Sequence, residues 1–83
     1  MFWFRLVVFV KNNERSVAVF TAEASIAEFA VYQILCDIQK KSSEMGDCVN
    51  ICPLRGGYDT EEKMEADIEH IIRSAGKTPW FVP

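Results

Sequence analysis

A histidine base is the first chemistry to test, because the 83-residue chain contains only one histidine, His70. Any Ser-His-Asp arrangement would have to use it, and no motif around a serine or cysteine marks a nucleophile. His70 follows Glu69 on the polar flank of a predicted helix. We therefore interpret it as a solvated side chain and predict no catalytic residue.

The three cysteines, Cys36, Cys48 and Cys52, are the next candidates. Zinc would need two more ligands beside the Cys48–Cys52 pair, and Cys36 and His70 are the obvious ones. The pair lies along a predicted strand rather than around a turn, so we predict no metal site. Disulfide exchange lacks its C-x-x-C motif. An odd number of cysteines favours reduced thiols in a cytoplasmic protein.

A glycine-containing segment, Arg55-Gly56-Gly57, precedes a predicted helix N-terminus, where free backbone amides can bind phosphate. Asp59, Glu61 and Glu62 occupy the same first turn and would repel an anion. The segment also lacks a P-loop pattern. We interpret it as a simple turn and predict no cofactor.

The strongest charge feature is acidic. Residues 58–70 hold six carboxylates and one lysine, a net charge of −5, whereas the rest of the chain carries +2. One interpretation is a solvated helix face whose acids suit the positive end of the helix dipole. The other is a docking face for a basic groove of another protein, in imitation of nucleic acid. For the second, the predicted partner-binding residues are Asp59, Glu62, Glu65 and Glu69.

The N-terminal residues predict a β-hairpin over residues 2–10 and 16–22. Asn12-Asn13 suits a two-residue type I′ turn, because asparagine tolerates positive φ. This turn sets Lys11 opposite Glu14, and it sets Leu6 opposite Val19. Opposite charges then fall together, as cross-strand pairs prefer.

The remaining residues predict two helices and a third strand. Ser25 to Glu28 fits a capping box, and the helix that follows should run to about Ser43 and end at Gly46. A strand over residues 48–52 stops at Pro53. Residues 54–58 are predicted as a loop. A second capping box, residues 59–62, opens a helix that ends near Gly76.

The resulting order, ββαβα, predicts an α+β fold in one domain over residues 1–83. Placing the third strand beside the first gives a three-stranded antiparallel sheet of order 2-1-3. The most apolar strand is then central. With both helices on one face, the fold is a two-layer sandwich.

This arrangement leaves an apolar open face on the sheet, where polar residues are expected. The C-terminal segment Trp80-Phe81-Val82 could fold over that face. Alternatively it is a contact surface, since large exposed apolar patches usually mark contacts. We predict a homodimer, or a heteromeric complex, with the following residues in the interface: Trp3, Val7, Phe9 and Phe20.

The first helix carries a second apolar set, Phe29, Tyr32 and Cys36, away from its main stripe. One interpretation is a wide core stripe wrapped by the second helix. The other is a further contact surface. The sequence leaves both open.

The C-terminal half resembles the DinI-like family of small SOS regulators. The matching residues are 49–54, a glycine loop, Thr60 to Lys63, an acidic helix and the closing Trp80-Phe81-Val82. The N-terminal hairpin departs from that family, which has one strand before its first helix. The segment before Trp80 is also less acidic than in the family. The resemblance implies a protein that binds the RecA filament through its acidic helix.

The net charge of −3 and pI of about 5.0 disfavour direct binding to nucleic acid. The longest apolar run is too short to span a bilayer. We therefore predict a cytoplasmic, non-enzymatic regulator or inhibitor, of a bacterial or phage type, that docks on a basic protein. The alternative is a small enzyme, or an enzyme subunit, whose site forms at a dimer interface. Cys48, Cys52 and His70 gathered in one cleft would favour it.

Overall fold

The computed structural model describes residues 1–74 and confirms an α+β fold. The predictions for Gly76 and for the segment Trp80 to Val82 lie outside the described residues. The elements are β1 Phe2–Lys11, β2 Glu14–Glu23, α1 Ala27–Met45, β3 Asp47–Ile51, β4 Arg55–Tyr58 and α2 Glu61–Arg73. The antiparallel sheet has the predicted order β2-β1-β3, and a further strand, β4, also pairs with β1.

The hairpin forms with the predicted turn. Asn12 and Asn13 have φ of 54° and 65°, the left-handed values that a type I′ turn requires. Lys11 lies opposite Glu14, and the register continues to the pair Phe2–Glu23 at the far end. Both strands are therefore ten residues long and fully paired with each other.

The prediction of a loop over residues 54–58 is wrong, because Arg55–Tyr58 forms β4 against residues 2–4 of β1. β3 and β4 follow one edge of β1 as a single interrupted strand, with Pro53 in the gap. Gly56 lies against Trp3, and a Cβ there would stand 2.3 Å from the indole ring. The glycine that resembles a turn signal instead permits close packing within a sheet.

The prediction that both helices cover one face is also wrong. On one face, Val7 and Phe9 of β1 pack with Ala30, Ile34 and Ile38 of α1. On the other, Phe4 and Leu6 of β1 pack with Met64 of α2, and alternate residues of a strand point to opposite faces. The fold therefore has three layers, α1, sheet and α2. The physical reason is that β1 is apolar on both faces, and each face needs cover.

Each helix begins one residue later than its capping box suggests. Ile26, not Ser25, occupies the N-cap of α1 and makes no side-chain cap. In α2 the Oγ1 of Thr60 accepts a hydrogen bond from the amide of Lys63 at 3.2 Å. Gly46 ends α1 as predicted, with φ of 100° and its amide donating to the carbonyl of Ser42.

Candidate functional site

The predicted partner-binding carboxylates lie on the solvent side of α2. Glu62, Glu65 and Glu69 are all exposed, and their spacing of three and four residues places them on one stripe of the helix. Glu61, also exposed, stands one turn before Glu65. We call Glu61, Glu62, Glu65 and Glu69 the acidic face.

The carboxylates differ in how far they are neutralised. Lys63 Nζ stands 3.5 Å from Asp59 Oδ2, and the Arg73 guanidinium pairs with Glu69 one turn earlier on α2. Within residues 1–74, Glu61, Glu62 and Glu65 make no ion pair. The N-terminal half of the acidic face therefore presents the less neutralised charge.

Ile72 borders the acidic face and was not predicted as a functional residue. Its side chain is 47% exposed. It follows Glu65 by seven residues and Glu69 by three, so it lies beside them on the helix surface. Ile72 points in a different direction around the helix axis from Met64, the buried residue of α2. This difference can be read from the sequence and would have identified Ile72 as exposed.

Asp67, by contrast, points toward the sheet and leaves the acidic face. It accepts a hydrogen bond from the Tyr58 hydroxyl, and Arg55 Nη1 lies 3.8 Å from its carboxylate. Burial, together with this hydrogen bond and the Asp67 charge, raises the pKa of Tyr58 to about 12. The contact fixes α2 to β4 and so holds the acidic face in place.

The predicted oligomer interface is not an open surface. Val7 and Phe9 are fully buried and Phe20 is 7% exposed, all beneath α1. Trp3 is half-buried, and its Nε1 donates to the carbonyl of Ala24 at 3.0 Å. These side chains are core within the chain itself, so the prediction that they form a contact between chains is wrong.

The second apolar set on α1 is exposed instead. Phe29 is 55% and Tyr32 70% exposed, and Cys36 is also exposed. α2 packs on the opposite face of the sheet and does not wrap them. The interpretation as a core stripe is therefore wrong, and a contact surface stays a hypothesis.

Cys52 and His70 line one cavity of about 620 Å³ beside the C-terminal half of α2. Cys52 is buried, and its Sγ accepts a hydrogen bond from the Leu6 amide at 2.9 Å. Burial raises the pKa of this thiol, which disfavours the reactive thiolate. Cys48 is exposed on β3, opposite Phe9, and does not line this cavity. The structure thus places two of the three residues that would favour an enzyme beside one cavity, and burial raises the pKa of the thiol among them.

Arg55, Gly56 and Gly57 lie in β4 rather than in a turn before α2, so the interpretation of this segment as a simple turn is wrong. Within the described part of the chain, no group of three or more His, Cys, Asp or Glu side chains could hold a metal ion. Neither described helix is long and apolar enough to cross a membrane.

Comparison with protein-family models, curated proteins and solved structures finds no significant match to this chain.

Proposed function

We propose that this chain is a regulatory protein that docks on a basic surface of another protein through the acidic face of α2. The observation that carries the proposal is the set of three carboxylates, Glu61, Glu62 and Glu65, that no lysine or arginine neutralises within residues 1–74. Concentrated like charge raises the rate of encounter with an oppositely charged surface.

Ile72 favours a protein as the partner. An exposed apolar side chain beside carboxylates matches the mixed character of protein interfaces, in which an apolar centre is surrounded by a polar rim. The apolar contact would hold the complex after electrostatic attraction has formed it.

α2 is also rigidly mounted, as a docking helix should be. Met64 is 3% exposed in the core with Phe4 and Leu6, and the Tyr58–Asp67 hydrogen bond fixes the middle of the helix. A preformed surface binds without first losing conformational entropy. The backbone that carries the acidic face is therefore already in place before a partner binds.

The resemblance to the DinI-like family supplies one concrete partner to test, the RecA filament. The test compares Glu65→Lys with a matched variant, Glu28→Lys, which makes the same charge change on the exposed first turn of α1. Binding to RecA filaments on single-stranded DNA is measured at low and high salt. We expect Glu65→Lys alone to slow association, and we expect the difference to shrink as salt screens the charges.

Docking on a basic protein other than RecA is tested by capture from a bacterial lysate. The baits are the unmodified chain, Glu65→Lys and Glu28→Lys. We expect at least one basic protein to be retained by the unmodified chain and by Glu28→Lys, but not by Glu65→Lys. Binding to purified samples of that protein should then show the same salt dependence. If every retained protein binds Glu65→Lys equally well, the acidic face is only a solvated surface.

A further inference from the structure

The two edges of the sheet are built differently. The edge formed by β3 and β4 is short and interrupted, with irregular register and Pro53 in the gap, all features that prevent strand addition. The opposite edge is β2, ten residues long, regularly paired with β1 and free of proline. Within residues 1–74, no strand pairs with the outer edge of β2.

The hairpin turn determines which backbone groups this edge presents. A two-residue turn makes Lys11 and Glu14 a hydrogen-bonded pair, so even-numbered residues of β2 direct their amides and carbonyls toward β1. Odd-numbered residues direct theirs outward. The Glu23 carbonyl agrees, because it accepts a long hydrogen bond of 3.4 Å from Gln33 Nε2, outside the β1–β2 ladder. The outward-directed residues are Arg15, Val17, Val19, Thr21 and Glu23.

We propose that β2 pairs with β2 of a second copy of this chain, antiparallel and centred on Val19. This register pairs all five outward-directed residues, because Val19 is the middle one. It forms about ten backbone hydrogen bonds, the number in a typical protein interface, and in two of them the Glu23 carbonyl accepts from both Arg15 of the other copy and Gln33 of its own chain. It also sets Arg15 of each copy directly opposite Glu23 of the other, which gives two complementary charge pairs.

The side chains at this edge suit the same register. Val17, 42% exposed, would face Thr21 of the second copy, and β-branched residues pack well across strands. On the α1 side, a cavity of about 670 Å³ lies between residues 18–21 and the C-terminal half of α1. The side chains of α1 therefore do not cover the outer edge of β2 at its central residues, 18–21.

Charge exchange tests both the dimer and its register. Sedimentation of the full chain should show a concentration-dependent dimer. Arg15→Glu and Glu23→Arg should each weaken self-association by about tenfold, because each replaces two attractive pairs by two repulsive ones. An equimolar mixture of the two variants should form a heterodimer, and the double variant should regain self-association. Circular dichroism and thermal unfolding verify that each variant folds.

A cysteine cross-link provides a second measurement. With Cys36 and Cys48 replaced by serine, Val19→Cys should form a disulfide-linked dimer, since directly opposed residues lie within disulfide range. The control Thr21→Cys should not, because its counterpart in the second copy would be displaced by about 13 Å along the strand. A chain that stays monomeric at all concentrations overturns the proposal. A dimer that is insensitive to Arg15→Glu and Glu23→Arg also overturns it, since another surface then forms the contact.

Discussion

The two faces of the sheet are covered by different helices and to different depths. Within the described residues, the α1 side buries a cluster of seven residues, whereas the α2 side buries a cluster of four. The α1 side includes Phe9 and Phe20, whose rings lie 6.2 Å apart. Polar contacts occur on both sides, through Trp3 and Gln33 on the α1 side and through Cys52 and Tyr58 on the α2 side. α1 therefore covers the larger part of the buried core, whereas α2 covers the smaller part and presents the acidic face to solvent.

The largest expected effect comes from Phe9→Ala on the α1 side. Phe9 is fully buried, and removing such a ring costs about 3–5 kcal/mol in the free energy of unfolding. That loss is a large part of the stability of a small domain. Met64→Ala on the α2 side should cost less, because its cluster is smaller. Urea unfolding of Phe9→Ala, Met64→Ala and the unmodified chain measures both losses.

If Met64→Ala lowers the free energy of unfolding as much as Phe9→Ala does, or more, the difference between the two faces is contradicted. The two faces would then contribute alike to the fold, and α2 could not be regarded as the less essential layer. A volume-conserving variant, Met64→Leu, serves as the control, since it should change the free energy of unfolding by less than about 1.5 kcal/mol.

Cys52→Ala should produce the next effect, on the α2 side. The Cys52 thiol accepts the hydrogen bond of the Leu6 amide, and alanine would leave that buried donor unpaired at a cost of about 1–3 kcal/mol. Cys52→Ser keeps an acceptor and should recover part of the loss. Thermal unfolding of both variants distinguishes the hydrogen bond from simple packing. If serine recovers nothing, Cys52 acts only as an apolar residue.

The sequence predicted the turn and the register of the hairpin to the residue, because a type I′ turn specifies both through Asn12 and Asn13. The strands themselves, Phe2–Lys11 and Glu14–Glu23, are longer than the predicted ranges of residues 2–10 and 16–22. The sequence predicted the sheet order for a different reason, because the most apolar strand, β1, suits the central position. It could not assign the helices to faces, since a strand that is apolar on both sides accepts a helix on either. It mistook β4 for a loop, because only tertiary packing shows that Gly56 faces Trp3. For the acidic face, the exposed positions of Glu62, Glu65 and Glu69 follow from helical spacing, but their unequal neutralisation and the exposure of Ile72 required the structure.

Tyr58→Phe should have a smaller effect, and one that depends on pH. The stacking on Phe4, with ring centroids 6.0 Å apart, is retained, while the hydrogen bond to Asp67 is lost at a cost of about 1 kcal/mol near neutral pH. The folded-state pKa of Tyr58 is about 12 against an ordinary value of 10. The unfolded chain therefore releases this proton first, and stability falls as pH rises from 10 to 12.

Tyr58→Phe removes that titration, so its stability should fall less steeply than that of the unmodified chain over this interval. Lysines titrate in both proteins and cancel in the difference. Urea unfolding at several pH values from 9 to 12 makes the comparison. Parallel curves would show that the Tyr58 hydroxyl is not held by Asp67, and α2 would then lack its fixed contact with β4.

The smallest effect is expected for Tyr32→Ser on the outer surface of α1. Tyr32 is 70% exposed, and tyrosine and serine have similar helix propensities. The free energy of unfolding should therefore change by less than about 0.5 kcal/mol. Ile34→Ala, two residues away on the buried side of α1, should cost about 2–5 kcal/mol and shows that the assay detects a lost contact. The same measurement tests the position of α2. If α2 wrapped α1 instead of covering the other face of the sheet, Tyr32 would be buried between the helices. Replacing Tyr32 would then lower the free energy of unfolding as much as replacing Ile34. A destabilisation of several kcal/mol for Tyr32→Ser would thus contradict the three-layer arrangement, whereas a negligible one leaves Tyr32 free for contacts outside the chain.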